Sequence, residues 1–190
     1  NIDTTYASYW DAINDSAVPA LLGLLCRMRV GFDIREAVAW VPHLDAAAFV
    51  RQTRHFFQTN DGNRWSFFHN SFRQYLIRRT SEDLLGNYCE VKNRSQHLRL
   101  AELAQSSERR SAFEREVIYH LYEAGEFGRV LDQATQSTFR EQFFDLRSFR
   151  QIADDIGLVV RSAKNELSGM GLLRAWLIDK ELHEREYCLE

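Results

Sequence analysis

Residues 56–76 read FFQTNDGNRWSFFHNSFRQYL, and this stretch indicates a β-hairpin that runs directly into a helix. Two short aromatic runs flank Asn60-Asp61-Gly62-Asn63, and Asp-Gly between apolar runs is the strongest short hairpin signal in a single sequence. Helical spacing then continues through Phe72, Tyr75, Leu76 and Arg79. His69 therefore lies at the seam between a strand and a helix, a position from which a side chain can point out of its own domain.

The residues before the hairpin predict a series of helices. A short first helix has one apolar face, made by Tyr6, Tyr9, Trp10 and Ile13. Residues 18–28, VPALLGLLCRM, are apolar nearly all round, so they should form a central, buried helix that begins after a cap at Asp15 or Ser16. Asp33 and Asp45 are the expected N-caps of two further helices. Three helices followed by a two-stranded wing is the winged-helix pattern, here spanning Val18 to Phe68.

Beyond the hairpin the chain shows only helix signals, which predict stacked helical pairs of the solenoid kind. The fold class is therefore mainly α, with a winged-helix domain and its short β-hairpin wing followed by a solenoid-like helical array. We expect a linker helix at 1–17, the winged helix at 18–90 and the array at 91–190. The predicted core aromatics around the seam are Phe67, Phe68, Phe72 and Tyr75. In the array, the aromatic residues that could be exposed are Phe139, Phe143, Phe144 and Phe149.

Composition excludes several classes of protein. The net charge is −3, so no global basic field attracts nucleic acid. The three cysteines Cys26, Cys89 and Cys188 are far apart and have no zinc spacing, which favours a reducing, cytoplasmic setting. No run approaches the roughly 18 apolar residues of a membrane span. The chain begins at Asn1 inside a helical pattern, so we expect it to be part of a longer protein.

The phrase FFHNSFRQYL, residues 67–76, resembles a motif of the STAND nucleotide-triphosphatases, the signalling class that includes NACHT and NB-ARC proteins. In many of them the last wing strand continues into F-x-H-x-S-F-x-x-Y/F-L. Residues 21–41, LLGLLCRMRVGFDIREAVAWV, are similar to the opening of the winged helix in that class. Residues 117–132, VIYHLYEAGEFGRVLD, resemble the helical segment that follows it. The resemblance covers about residues 1–135.

The resemblance implies that His69 contacts the β-phosphate of bound ADP and so holds a closed, inactive arrangement. Asn70 stands where NB-ARC members often have Asp, so no role is carried over to it. The phosphate-binding loop and the Mg²⁺ residues would lie upstream of Asn1, since no G-x-x-x-x-G-K-[ST] occurs here. The chain itself would then be no enzyme. ATP or ADP with Mg²⁺ would be cofactors of the longer protein, which the resemblance implies oligomerises when activated.

The same resemblance implies two partners, the upstream nucleotide-binding domain and a protein trigger on the helical region. The short Ala- and Arg-rich helices look bacterial, which suggests a role in antiviral defence or in regulation. Two alternatives remain at this point. The chain could be a helical interaction scaffold in which His69 only closes the core. It could also be a DNA-binding regulator that uses Arg51, Arg54, His55 and Arg64, although a duplex binder usually brings more basic residues. His97, His120 and His183 are scattered and suggest no metal site, and Ser71 lacks the surroundings of a nucleophile.

Overall fold

The structure is a computed structural model, and it describes residues 2–60, 64–106, 116–144 and 149–187. Eleven α-helices and one two-stranded antiparallel sheet make up this described part of the chain, which confirms the prediction of a mainly helical chain with a short hairpin. In order, the elements are α1 (Ile2–Asp11), α2 (Ala17–Leu25), α3 (Ile34–Val38), α4 (Ala46–Thr53), β1 (Phe57–Asn60), β2 (Arg64–Phe67), α5 (Asn70–Arg79), α6 (Glu90–Ser106), α7 (Val117–Ala124), α8 (Phe127–Gln133), α9 (Gln136–Phe144), α10 (Phe149–Asn165) and α11 (Gly169–Tyr187).

Aspartate side chains cap the starts of α2, α3 and α4. The Asp15 carboxylate accepts a hydrogen bond from the Ala17 amide at 2.8 Å, whereas the Ser16 side chain makes no capping bond, so Asp15 starts α2. Asp33 and Asp45 accept in the same way at α3 and α4. Both predicted caps are confirmed, because an Asp side chain reaches the amides that the first helical turn leaves without a partner.

The sheet is the predicted hairpin, with Phe57 opposite Phe67 and Asn60 opposite Arg64. The predicted Asp61-Gly62 turn lies outside the described residues. Phe32, between α2 and α3, adds an antiparallel bridge to Trp65, with two backbone hydrogen bonds of 2.9 and 2.8 Å. The hairpin is therefore fastened to the helices through backbone contacts as well as through its aromatic core.

One predicted core aromatic is on the surface. Phe72 is buried, and the half-buried Phe67 and Tyr75 pack against the core, but Phe68 is 59% exposed. The prediction for Phe68 is wrong because successive side chains of an extended segment point to opposite faces. Phe67 follows the inward face of β2, and Phe68 therefore points outward.

In the second half, α10 is the central helix and packs against α7, α8, α9 and α11. α6 packs against α7, and it also contacts α2, so the two halves of the chain meet there. The predicted division at residue 90 falls where α6 begins, and the division itself stays a prediction. Within the described residues, no helix is both long and apolar enough to cross a membrane.

The aromatics of α9 and α10 are less exposed than the sequence suggested. Phe139 is buried, and Phe143 and Phe149 are half-buried, while the side chain of Phe144 lies outside the described residues. Exposure at Phe139 is a wrong expectation, because α9 packs against α10 and turns this ring inward. The apolar side chains that α11 exposes are Met170, Leu172, Leu173, Trp176 and Leu177.

Candidate functional site at the hairpin seam and the buried joint

His69 is the residue immediately before α5, with an extended backbone conformation (φ −118°, ψ 123°). Its side chain is exposed, and it makes no capping hydrogen bond to the helix that it precedes. Among the residues that the structure describes, none hydrogen bonds to its imidazole, and the neighbouring Phe68 ring lies edge to face with it, with the ring centres 4.6 Å apart. Both ring nitrogens are therefore available to a group outside the described chain.

The first turn of α5, directly after this histidine, supplies further hydrogen-bond donors. The amides at the start of a ten-residue helix lack partners within the helix, and the helix dipole makes this end favourable for an anion. An imidazole can donate a hydrogen bond to a phosphate oxygen, and the bond strengthens when the ring is protonated. The chemistry that this seam can perform is recognition of an anionic oxygen.

Arg73, one turn after His69, fixes the direction of α5. Its Nε donates to the Cys26 carbonyl at 2.7 Å and its Nη2 to the Met28 carbonyl at 3.0 Å. The Cys26 carbonyl belongs to the C-cap of α2 and the Met28 carbonyl to the turn that follows it. The helix that carries His69 is thereby joined to the turn at residues 26–29.

Arg27, in the same turn, is 1% exposed and held by polar side chains rather than by a carboxylate. It donates to Thr80 Oγ1 at 3.0 Å, to Ser81 Oγ at 2.6 Å and to Asn93 Oδ1 at 3.0 Å. Burial lowers the pKa of the Arg27 guanidinium. Its N–H groups nevertheless find hydrogen-bond acceptors in these side chains. Arg27 thus connects the end of α2 to the end of α5 and the first turns of α6.

Arg29 completes the turn and reaches the second half of the chain. Its Nε and backbone amide donate to the two Glu116 oxygens at 3.0 and 2.8 Å, and its Nη2 donates to Asp155 Oδ1 at 3.0 Å. The guanidinium also stacks over the Tyr119 ring, 4.1 Å from its centre. We call the set Arg29, Glu116 and Asp155 the buried joint.

The charges of the buried joint stabilise one another. Burial lowers the pKa of Arg29, but Asp155 and Glu116 together outweigh that effect and leave the pKa raised. Burial raises the pKa of Glu116, and Arg29 offsets part of the rise. Since both Glu116 oxygens accept hydrogen bonds from Arg29, the ionised carboxylate is the form that fits this geometry. Removing the arginine would take away the cation that these two buried carboxylates share.

Two of the histidines that looked scattered in the sequence form a buried pair. His97 Nδ1 on α6 lies 3.0 Å from His120 Nδ1 on α7, and both side chains are buried. Glu116 Oε2 is 3.7 Å from His120 Nε2. The two histidines are 23 residues apart, so the sequence did not reveal their contact. Each lies on the apolar face of its helix, however, as His97 does with Leu100, Ala101 and Ala104. That position within an apolar face was a signal of burial.

One of the basic residues considered for DNA binding, Arg54, contacts the hairpin. Arg54 donates to the Phe57 carbonyl at 2.9 Å, and its guanidinium lies over the Trp65 ring at 4.7 Å. Arg64 is exposed, Arg51 is exposed, and the His55 ring packs against Phe56 with centres 3.9 Å apart. Of these four side chains, Arg54 is therefore engaged within the hairpin, while Arg51, His55 and Arg64 remain exposed.

No arrangement for nucleophilic or metal chemistry is found in residues 2–60, 64–106, 116–144 and 149–187. In these residues no three His, Cys, Asp or Glu side chains could hold a metal ion. Burial raises the pKa of Cys26 to about 11, so its thiol stays protonated. The Ser71 hydroxyl shares a 2.7 Å hydrogen bond with the Tyr6 hydroxyl, which fastens α1 to α5.

Comparison with known proteins gives no independent assignment. No protein-family model, no curated protein and no solved structure matches this chain.

Proposed function

We propose that this chain is the regulatory part of a STAND-class nucleotide-triphosphatase. In this proposal its hairpin-bearing half is a winged helix that contacts a nucleotide-binding domain of the same protein. The helical half receives a trigger, and ATP or ADP with Mg²⁺ binds outside this chain. The observation that carries the proposal is the exposed imidazole of His69, placed at the start of α5 within the phrase FFHNSFRQYL.

The chemistry of the seam supports a phosphate contact. His69 and the first amides of α5 offer hydrogen-bond donors on the side where the helix dipole favours negative charge. The exposed Phe68 ring lies beside them and gives a partner domain an apolar contact next to the polar one. A contact that is made in only one arrangement of two domains stabilises that arrangement, which is sufficient for a switch.

The buried joint supports communication between the halves. Arg73 ties the helix that follows His69 to the turn at 26–29, and Arg29 ties that turn to α7 and α10. A trigger that displaces α7 or α10 would therefore move the turn on which α5 is anchored. DNA binding receives less support, because Arg54 is engaged within the hairpin.

The test compares two exposed histidines in the intact protein. His69→Asn should reduce the ADP that copurifies with the protein by at least tenfold, measured by anion-exchange chromatography of the released nucleotide, since one lost charge-assisted hydrogen bond to a phosphate is worth about 1.5–3 kcal/mol. His43→Asn is the matched control, because His43 is exposed and its left-handed backbone (φ 65°) tolerates asparagine. Equal ADP content in the two variants would contradict the proposal.

A further inference from the structure

Helix α11 carries two apolar stripes. The first, which includes Ala175 and Ile178, is buried against the rest of the molecule. The second runs at helical spacing along an adjacent side of the helix, through Met170, Leu173 and Leu177, which are 68%, 49% and 41% exposed. A surface helix needs only the stripe that faces the core, and its other sides are normally polar. The second stripe therefore has no role in the core and is typical of a contact surface.

The second stripe forms one wall of a groove. Two adjoining cavities, of about 440 and 380 Å³, share Met170 and Arg174, and residues of α8 and of the start of α9 line their other side. Gly171 lines the smaller cavity, and its missing side chain lets α11 approach α10, since a Cβ there would lie 3.0 Å from the Ala163 Cβ. We call the two cavities together the α11 groove. The lining residues that matter below are Asp132, Glu166, Met170, Leu173 and Leu177.

The charge of the α11 groove is negative at the α8 end. Asp132 and Glu166 line the smaller cavity, and neither carboxylate forms an ion pair with a residue that the structure describes. Arg174 lies between the two cavities, but its Nη1 donates to the Leu131 carbonyl at 2.8 Å, in the last turn of α8. The helix dipole is negative there and compensates part of the arginine charge. The two carboxylates have no such compensation.

Leu167, beside Glu166, is a leucine where the backbone favours glycine. Its φ is 51°, and it is 92% exposed. It occupies the left-handed position of the Schellman motif that ends α10, in which the Leu167 amide donates to the Lys164 carbonyl and the Ser168 amide to the Ala163 carbonyl. A leucine is strained in this conformation. Because the side chain stabilises neither the backbone nor the core, a contact outside the described chain accounts for it best.

The shape and charge of the α11 groove select one kind of partner. Sites for small molecules enclose most of the ligand surface, whereas this apolar wall is open to solvent over about two helical turns. Met170, Leu173 and Leu177 have the i, i+3, i+7 spacing with which one helix packs against another. The two carboxylates favour a Lys or Arg side chain beside the apolar residues of the partner. They would repel an anionic membrane surface.

We propose that the α11 groove binds an amphipathic helix of another protein, with Lys or Arg at one end of its apolar face. The apolar side chains of that helix pack against Met170, Leu173 and Leu177, and its basic side chain lies between Asp132 and Glu166. This contact rests on the proposed function in one respect, since the helical half is there the part that receives a trigger. The α11 groove gives that trigger a binding surface and a chemistry.

Peptide selection on the full chain tests the proposal. A phage-displayed library of random peptides of about 14 residues, the length of an average helix, is selected, and fluorescence polarisation measures the binding of the enriched peptides. These peptides should have apolar residues at helical spacing and more Lys and Arg than Asp and Glu. Met170→Ser/Leu173→Ser should weaken their binding at least about tenfold, as the loss of a central apolar contact does. Leu84→Ser/Leu85→Ser is the matched control, because these leucines are 100% and 85% exposed outside the groove.

Charge and strain give two further measurements. Asp132→Asn/Glu166→Gln should weaken peptide binding about threefold to tenfold at low salt and less at high salt. Glu102→Gln/Asp154→Asn removes the same charge from exposed positions outside the groove and should leave binding unchanged. Leu167→Asn should weaken binding and yet raise the midpoint of chemical denaturation, because asparagine tolerates the left-handed conformation.

Four results would overturn the proposal: no peptide is enriched, the enriched peptides are acidic, they bind Met170→Ser/Leu173→Ser as tightly as the wild type, or the chain binds phosphatidylserine vesicles through α11 and no peptide. The last result would indicate a membrane surface as the partner. Peptide binding is measured without nucleotide, so it can fail while His69→Asn still loses ADP, and it can succeed while His69→Asn retains ADP. The two proposals therefore fail separately.

Discussion

At the scale of single residues, the His97–His120 pair sets a limit on protonation. Two Nδ1 atoms 3.0 Å apart can share one proton but cannot both carry one, so at most one ring can be a cation in this arrangement. Burial, and to a smaller extent the nearby charge of Arg27, lower the pKa of His97 to about 3, although Glu90 acts in the opposite direction. Burial, and then the neighbouring His97, also lower the pKa of His120. Both rings are therefore neutral in the folded protein at neutral pH.

The pair makes stability depend on pH. Below about pH 6.5 the unfolded chain protonates both imidazoles, while the folded chain keeps them neutral, so the free energy of unfolding falls as the pH falls. His97→Asn keeps a donor near the Nδ1 position but cannot titrate. It should reduce the dependence between about pH 6.5 and 5 by about 1.4 kcal/mol per pH unit, measured by urea unfolding at successive pH values. An unchanged slope, equal to that of the exposed control His183→Asn, would rule out a titrating pair.

At the scale of elements, Gly125 ends α7 in a Schellman motif. Its φ is 81°, its amide donates to the Tyr122 carbonyl, and the Glu126 amide donates to the Leu121 carbonyl, both at 2.9 Å. A glycine directly after the helical pattern of residues 117–124 predicts this stop from the sequence, and the structure confirms it. The left-handed conformation is the physical reason for a glycine here, since a side chain would be strained.

A pair of nearby glycines allows a matched test. Gly125→Ala should destabilise the protein by about 1–2 kcal/mol, because alanine is strained at this φ and its Cβ would lie 3.3 Å from Arg94 Nη1. Gly128→Ala should instead stabilise it by about 0.5–1 kcal/mol, because Gly128 lies within α8 and nothing lies within 4 Å of an added Cβ. Chemical denaturation of both variants checks the opposite signs, and two changes of the same sign would contradict the assigned motif.

At the scale of the whole molecule, the buried joint connects parts of the chain that are far apart in sequence. Arg29 contacts residues that are 87 and 126 positions away, and both of those carboxylates are buried. Such a contact fixes which face of the helical half meets the end of α2. Its loss is costly because the two carboxylates are buried and would lose the cation that they share.

Replacement of Arg29 tests this role. Arg29→Met should lower the free energy of unfolding by about 3–5 kcal/mol, the cost of breaking a buried charge pair from one side. Arg94→Met is the matched control: its pair with Glu90 is more than half exposed, and such pairs contribute about 0–1 kcal/mol. Urea unfolding of both variants measures the difference. Similar losses in the two would mean that Arg29 does not hold the halves together.

Much of the local structure was predictable from the sequence. The Asp33 and Asp45 caps, the hairpin strands and the stop at Gly125 are all as predicted, because each depends on residues within a few positions of one another. The position of His69 between β2 and α5 was predictable for the same reason. Its side chain is exposed. Its role towards a phosphate remains a proposal.

By itself, then, the sequence determined the helices, their caps and the hairpin, since backbone conformation and capping are set by neighbouring residues. Only the tertiary structure decided that Phe68 is exposed and Phe139 buried, that His97 faces His120, and that Arg29 faces Glu116 and Asp155. These outcomes depend on which faces of separate helices meet. That choice is made by packing the whole core at once, and no short stretch of sequence contains it.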